Sequence, residues 1–387
     1  MTLFFSKHQT FLSLLFVITV TNALQSVVGS FLTPYLLSIS ISSTWIGVLH
    51  GIFRVSSLAF ILPSGIFTDR IKVRPLLLLG SFATILFFFG LKITTSPLIL
   101  SFLFFLGGAG TTVLVIASTA LFYKNLGSKK EKKGAILAVM TSFVNGVFIL
   151  VGGVVITALS FQSVFTMAIV VSAFFLFFLV FIPTNETYQL QKEDYFHELQ
   201  RKEVIFLLLF CGLYMFHAGG DSVSIPAIWK QELSFSSYQI GLLMGIPILV
   251  TGTLGIGLLS FITKGKPSFA RFFVLGGCFL TGLGHLFLAF GQTFDQAMIG
   301  RFVHITGDNV MGFFLTIEIA FLFSKKSIGG NFGLANLLIT IVSTISVIIA
   351  GIVGNYFPHQ YFLYLSAGVC MLGALWSLFW RVEFRRE

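Results

Sequence analysis

Long apolar stretches separated by short polar segments recur along the whole chain. A helix needs about 20 consecutive apolar residues to cross a hydrocarbon core of about 30 Å. Such segments must be helical, because a backbone group left unpaired in lipid costs several kcal/mol. The pattern predicts an all-α integral membrane protein with twelve transmembrane helices, at residues 10–36, 43–64, 75–95, 97–122, 134–158, 162–183, 204–229, 238–262, 270–290, 296–323, 331–355 and 359–380.

The composition agrees with this interpretation and argues against a soluble enzyme. Of 387 residues, 56% are hydrophobic, 16% are aromatic and only 10% are charged, and a soluble domain could not keep so much apolar surface out of water. No nucleotide-binding loop or nucleophile motif occurs. Cys211, Cys278 and Cys370 stand singly within spans, which predicts packing roles and neither a disulfide nor a metal site. We expect no enzymatic activity and no cofactor.

The basic residues indicate the orientation of the chain in the membrane. With the N-terminus inside, all but four of the 24 Lys and Arg residues fall in segments on the cytoplasmic side. Lys92 and Lys230 lie on the outer side, whereas Arg54 and Arg301 lie within spans. This asymmetry predicts that both termini are cytoplasmic. The net charge of +10 then reflects topology and requires no nucleic-acid partner. Short loops favour a bacterial inner membrane protein.

The two halves of the chain resemble each other. The sequence IGVLHGI at 46–52 matches IGLLMGI at 240–246, and a proline lies near the outer end of the first span in each half. The longest polar stretch of mixed charge lies between the sixth and seventh spans. We predict an N-terminal six-helix bundle at 1–183, a cytoplasmic linker at 184–203 and a C-terminal six-helix bundle at 204–387. Parallel repeats of this kind occur in transporters, with the substrate site between the halves.

The segment between spans 2 and 3 is unusually rich in charge for this chain. Its sequence, GIFTDRIKVR, is similar to the signature G-x-L-A-D-R-x-G-R-K/R of the major facilitator superfamily and matches it at Gly65, Asp69, Arg70 and Arg74. It departs from the signature at positions 72 and 73. With twelve spans, a 6+6 repeat and a central linker, the whole chain resembles a transporter of that superfamily.

This resemblance implies a gating role for the motif. In relatives, the acid at the position of Asp69 helps to latch the two halves together on the cytoplasmic side. Asp69 lies at a helix end, where it can meet the N-terminus of another helix or an arginine. Gly65 removes a side chain where two helices could approach closely. Simple anchoring on the cytoplasmic side would explain the basic residues of the motif, but it would not explain Asp69.

Span 10 is the most polar of the twelve spans. A charge near mid-membrane costs at least about 2.5–3.5 kcal/mol, so charges there are functional candidates. At about 100° per residue, Arg301, His304, Asp308 and Glu318 fall in one sector of the helix. Such a stripe is expected to face a cavity or the bundle interior.

Span 7 carries a second polar face that could meet this stripe. His217 and Asp221 are four residues apart on that face, so spans 7 and 10 together predict a cluster of acids and histidines. Asp221 and Asp308 are the leading candidates for proton coupling. A static ion pair that locks the two helices together is the alternative. His285 in span 9 is expected to be structural.

The N-terminal half offers fewer polar residues within its spans. Asn22 and Gln25 in span 1, with His50 and Arg54 in span 2, are candidates for the substrate cavity. Polar contacts between helices would explain the amides of span 1 equally well. Arg54 would attract an anion.

These features predict a secondary transporter that works by alternating access. Proton-coupled export of a small organic molecule is the leading hypothesis. Uptake of a small metabolite, with anions among the candidates, is the alternative, and a receptor or scaffold without transport is a third. Phe104 lies where drug exporters carry an arginine, which weakens a drug-efflux assignment. The expected partners are a small-molecule substrate, protons and the lipid bilayer, and we expect a monomer.

Overall fold

The computed structural model describes residues 7–125, 130–179, 182, 187–188, 200–264, 268–324 and 326–378. Within these residues the chain forms twelve long helices and no strands. In chain order they are α1 (Lys7–Ser38), α2 (Ser43–Arg70), α3 (Val73–Ile93), α4 (Pro97–Lys124), α5 (Lys130–Ala158), α6 (Phe161–Leu179), α7 (Lys202–Ala227), α8 (Ser237–Lys264), α9 (Ser268–Phe290), α10 (Phe294–Leu322), α11 (Ile328–Tyr356) and α12 (Gln360–Leu378).

The twelve helices coincide in order with the twelve predicted spans, which confirms the predicted fold class. Among the described residues, eleven helices are long and apolar enough to cross a membrane. The twelfth is α10, whose charged side chains at Asp295, Arg301, Asp308 and Glu318 lower its hydropathy. A helix this polar is stable within a bilayer only where neighbouring helices cover its polar face. The position of α10 against α9, α8 and α5 provides that cover.

The packing of the helices repeats with an offset of six. The most extensive contacts between the halves join α2 to α11 and α5 to α8. Helix α8 follows α2 by six helices, and α5 precedes α11 by six, so the two pairs are equivalent under the repeat. Within each half, α3 packs on α4 and α6, just as α9 packs on α10 and α12. A parallel repeat of six helices produces this arrangement.

Glycines allow the closest approaches between the halves. A Cβ atom on Gly153 of α5 would lie 2.9 Å from the Cα atom of Gly241 on α8. A Cβ atom on Gly65 of α2 would lie 3.1 Å from the Cα atom of Gly333 on α11. Small residues at these crossings bring the backbones together, which is how helices commonly associate in membranes.

The two ends of the bundle differ. The basic end is the one that carries the loops after α2, α4, α8 and α10. At the opposite end α7 continues into a π-helical turn, Ile228–Glu232. There the Glu232 carboxylate accepts hydrogen bonds from the His359 backbone N–H and the Gln360 side chain, which ties α7 to the start of α12.

Most of the predicted linker at 184–203 lies outside the described residues, as do residues 1–6 and 379–387. One described contact of that region reaches the first half, because the Tyr188 backbone N–H donates to the Asp69 carbonyl oxygen at 2.8 Å. The boundaries of the two bundles stay predictions.

Candidate functional site

Three helices of the second half bring their polar faces together. Tyr214, His217 and Asp221 follow one another on α7 at spacings of three and four residues. Arg301, His304 and Asp308 have the same spacing on α10. Thr281 and His285 are four residues apart on α9, between those two faces. Each set lies on one side of its helix. The eight residues are called the His–Asp cluster below.

Asp308 accepts hydrogen bonds from two helices. Its Oδ1 atom lies 2.8 Å from the Tyr214 hydroxyl, 3.3 Å from the Thr281 hydroxyl and 3.1 Å from Nε2 of His217. Its Oδ2 atom lies 3.5 Å from Nε2 of His304. The Asp308 side chain is 29% exposed, whereas those of His217 and His304 are 2% exposed. Asp308 is therefore the more exposed of the two acids of the cluster, since the Asp221 side chain is 10% exposed.

Asp221 occupies the enclosed side of the cluster. Its Oδ2 atom lies 3.0 Å from Nε2 of His285 and 3.2 Å from Nε2 of His304. The rings of His285 and His304 are 4.4 Å apart between centroids. His285 thus belongs to the cluster, although the sequence led us to expect an isolated structural residue.

Hydrogen-bond chemistry assigns the protons on two of the histidines. The guanidinium of Arg301 lies 2.6 Å from Nδ1 of His304. Since a guanidinium only donates, Nδ1 must accept and Nε2 must carry the proton that faces the two carboxylates. Arg301 also donates to the sulfur of Met244 at 3.4 Å. Arg301 therefore holds the His304 ring, and His304 in turn lies beside the carboxylates of Asp221 and Asp308.

His217 requires a further proton. Its Nδ1 atom lies 2.5 Å from the backbone carbonyl of Tyr214, and a carbonyl only accepts, so Nδ1 is protonated. Its Nε2 atom faces Oδ1 of Asp308 at 3.1 Å. A hydrogen bond there needs one more proton, held either by the imidazole or by the carboxyl group. The contact between His217 and Asp308 therefore requires one shared proton.

The cluster also contains residue types that bind metals. His217, His304 and Asp308 form one possible ligand set, and Asp221, His285 and His304 form another, each with ligand atoms within 4.8 Å of one another. The Arg301 cation on His304 opposes a divalent ion at this position, because it adds a like charge and occupies Nδ1. We assign no metal to the cluster.

Glu318 was predicted to share the stripe of α10. The residue is buried but lies ten positions beyond Asp308, about 15 Å farther along the helix at 1.5 Å per residue. The structure therefore places it toward the basic end and away from the His–Asp cluster.

At the basic end, Asp69 joins α2 to the first turn of α11. Its Oδ1 atom accepts from the Gly329 N–H at 3.1 Å, and its Oδ2 atom accepts from the Gly330 N–H at 2.8 Å. The free N–H groups and the dipole of a helix N-terminus favour a carboxylate at such a site. The Lys124 ammonium lies 2.8 Å from Oδ1 and donates to the Thr68 carbonyl at 2.5 Å. Asp69 is fully buried.

The other motif residues have different surroundings. Gly65 lies against Gly329 and Gly333, where a side chain would collide with the backbone of α11. Arg74 donates to the Ile182 carbonyl at 2.7 Å, a contact within the first half. Arg70 ends α2 and is exposed. Gly65 and Asp69 are thus placed against α11.

The four N-terminal candidates lie on α1 and α2, and each is partly exposed. The Asn22 amide donates to the Ile18 carbonyl of its own helix at 2.8 Å, so it links no helices through that bond. Nε2 of His50 lies 3.0 Å from the Thr33 hydroxyl, which connects α2 to α1. Gln25 and Arg54 are partly exposed.

A cleft opens between the halves at the end opposite Asp69. Its lining comes from α1, α2, α7, the π-helical turn after α7, α11 and the loop before α12, and includes Thr33, Gly47, Val223, Gln231, Gly351 and His359. Burial lowers the pKa of His359, which lies between two spans, and Glu232 partly opposes that shift. The imidazole at this mouth is therefore neutral near pH 7.

Sequence reasoning missed two residues with central positions. His285 follows Thr281 by four residues in an otherwise apolar span, and that spacing was the available signal. Lys124 lies two residues beyond the predicted end of span 4, so it was counted with the loop residues that define orientation. The structure instead buries it against Asp69.

Comparisons with known proteins agree with this architecture. The family model described as Major Facilitator Superfamily matches residues 14–317. The crystal structure of the human organic anion transporter MFSD10 (TETRAN) superposes with a TM-score of 0.77, covering 96% of this chain and 99% of that one at 16% identity. At that identity the likeness shows the fold alone. No curated protein sequence matches the chain. Since the family model spans most of its length, this chain belongs to the Major Facilitator Superfamily and is a transporter.

Proposed function

We propose that this protein exports a small organic molecule in exchange for protons, with both termini in the cytoplasm of a bacterial cell. The single observation that carries the proposal is the 3.1 Å contact between Nε2 of His217 and Oδ1 of Asp308, the more exposed acid of the cluster, where the hydrogen-bond pattern requires a shared proton. A site that couples proton flow to transport must exchange its proton with an aqueous cavity and must be protected elsewhere from water. The 29% exposure of the Asp308 side chain and the 2% exposure of His217 are consistent with these two requirements.

Loss of the shared proton would change the contact between α7 and α10. Nδ1 of His217 would still donate to the Tyr214 carbonyl, so a neutral imidazole would turn its Nε2 lone pair toward the Asp308 carboxylate. That arrangement is repulsive. The proton therefore stabilises the packing of these two helices, and its release favours a rearrangement.

The neighbouring residue on α10 connects this change to the other half. The Asn309 amide group donates to the Thr251 hydroxyl of α8 at 2.5 Å and accepts from the Ser142 hydroxyl of α5 at 3.0 Å. Asn309 thus lies at the α5–α8 contact between the halves, one position from the proton-sharing acid. Movement of α10 would reach that contact directly.

Proton flux in proteoliposomes tests the proposal across a range of candidate substrates. A panel of small organic molecules is added to vesicles that hold an imposed pH gradient, and a pH-sensitive dye reports its dissipation. We expect some compounds to dissipate the gradient, and Asp308→Asn to abolish the response. Asp295→Asn is the matched control, because this acid is exposed in the first turn of the same helix.

Gradient-driven flux that persists in Asp308→Asn would reduce the cluster to a structural ion-pair network. Flux of solute without any proton movement would contradict coupling altogether. Absence of flux for every solute would instead favour a receptor.

Uptake remains the second candidate, because the cleft at the end opposite Asp69 would serve entry as well as release. Substrate movement opposite to the proton flow would support export in exchange for protons, and movement in the same direction as the protons would support uptake. Export requires substrate to leave the compartment that the basic end faces, and accumulation there would support uptake.

A further inference from the structure

Open space borders three glycines of the first two helices near the cleft, and we take it as a passage that leads inward. On α1, Asn22, Gly29 and Thr33 lie on one face of the helix. Gly29 follows Asn22 by about two helical turns, and Thr33 follows Gly29 by about one. A Cβ atom added to Gly29 would meet nothing within 4 Å, and the same holds for Gly47 and Gly51 on α2. The cleft residues Thr33 and Gly47 mark the outer end of this passage.

Arg54 lies on the same face of α2 as Gly47 and Gly51, one turn deeper than the second of these. It is partly exposed, as expected for a side chain that reaches into the passage. The helix runs from residue 43 to residue 70, so Arg54 is well inside the span. A cation at this depth without a functional reason would be selected against, because its insertion into the membrane is unfavourable.

Arg54 differs from Lys124 and Arg301, two buried cations, in having no described counter-charge. Lys124 pairs with Asp69, and Arg301 lies against His304 beside two carboxylates. Within the described part of the chain, no carboxylate lies within 4 Å of the Arg54 guanidinium. The passage therefore contains an unneutralised positive charge.

Asp308, the more exposed acid of the His–Asp cluster, is engaged by residues of α7, α9 and α10. Its Oδ1 atom lies within hydrogen-bond distance of a tyrosine, a threonine and a histidine, and its Oδ2 atom lies 3.5 Å from Nε2 of His304. The His50 ring is held by Thr33. Gln25, one turn from Asn22, forms no side-chain hydrogen bond with the described residues. The Arg54 guanidinium and the Gln25 amide therefore favour a negatively charged ligand in this passage.

We infer that Arg54 binds the anionic group of the transported molecule, a carboxylate on an otherwise apolar body, with Gln25 as an additional hydrogen-bond donor. The inference rests on the proposed transport function, whose substrate class it names. A guanidinium forms two parallel hydrogen bonds with a carboxylate. The apolar residues at the cleft, such as Leu37, Ile46 and Val347, suit the hydrocarbon part of such a molecule.

Ligand-induced thermal stabilisation of the full chain in detergent, at fixed pH and without a gradient, tests the inference. The probes are monocarboxylates, from acetate to decanoate and from benzoate to naphthoate, each compared with its neutral primary amide. We expect carboxylates to raise the melting temperature and their amides to have no effect. Arg54→Gln should weaken carboxylate binding by about 10- to 100-fold, the range expected for a hydrogen bond to a charged group.

Two further variants separate binding from folding. Arg54→Lys keeps the charge but loses the two-pronged geometry, so it should retain part of the affinity, and Gln25→Ala should weaken binding severalfold. Lys92→Gln removes the same charge from α3, away from the passage, and should bind like the unmodified chain.

Equal stabilisation by an amide and its carboxylate would overturn the inference. So would carboxylate binding that survives in Arg54→Gln, or the absence of binding for every carboxylate. Because this assay needs no proton gradient, carboxylate binding together with a failure of proton-coupled flux would leave Arg54 as an anion site and remove only the coupling proposal.

Discussion

Asp69 and Asp308 are both acids within the helical bundle, and their partners give them opposite properties. Asp69 is fully buried and accepts from an ammonium group and from two backbone N–H groups. All of these partners favour a permanent carboxylate. Asp308 instead shares a proton with His217 and is partly exposed. The contacts of Asp69 suit a carboxylate that stays charged, whereas the proposed coupling requires Asp308 to exchange a proton.

The Asp69–Lys124 pair should show strong coupling in a double-mutant cycle. Asp69→Asn leaves the Lys124 ammonium buried without its counter-charge, and removal of one partner from a buried pair costs about 3–5 kcal/mol. Adding Lys124→Met should restore part of the lost stability, because no unpaired charge remains. Thermal unfolding in detergent measures each term of the cycle. Additive losses would mean that the two side chains do not interact.

At the scale of the helices, glycine decides where the halves touch. The α2–α11 crossing depends on Gly65, because a Cβ atom there would collide with the backbone of Gly329 and lie 3.1 Å from the Cα atom of Gly333. That crossing also brings the N-terminus of α11 to the Asp69 carboxylate. Helix packing and the charged contact therefore depend on each other.

Alanine at two glycines of α2 should have opposite effects on stability. Gly65→Ala should lower the melting temperature by several degrees, because the backbone of α11 must move away. Gly51→Ala should be neutral or slightly stabilising, since its Cβ atom meets nothing within 4 Å and alanine favours a helix. Thermal unfolding of the two variants side by side checks this. If Gly51→Ala lowered the melting temperature as much as Gly65→Ala, the loss would come from replacing glycine as such and not from the contact between α2 and α11.

The sequence predicted every helix, because apolar runs of span length are a strong local signal. It also predicted that α7 and α10 contribute to one cluster, since the polar residues of each helix are spaced to share a face. It could not place His285 or Lys124, because their partners lie on other helices and depend on how those helices are rotated and packed. Both residues looked ordinary beside their sequence neighbours, and tertiary structure gave each a charged partner.

At the scale of the molecule, the two ends of the bundle are in opposite states. The basic end is closed by the α2–α11 crossing and the Asp69 contacts, whereas a cleft lies between the halves at the other end. Alternating access requires these states to exchange, since a transporter open at both ends would leak. The structure corresponds to the outward-facing state if the basic end is cytoplasmic, as the charge distribution predicts.

Two cysteines on α11 can report this exchange. Gly351→Cys lies in the cleft, and Ala335→Cys is buried near the basic end. In the otherwise unmodified chain, a water-soluble maleimide should label position 351 rapidly and position 335 slowly, and the three native cysteines are buried and give a low background. Asp69→Asn weakens the closed end, so labelling at 335 should rise while labelling at 351 falls. Because both reporters share one helix, local unfolding of α11 would raise labelling at both positions. A reciprocal change is therefore specific to rocking of the halves, and a rise at 335 with no change at 351 would mean that the two ends open independently.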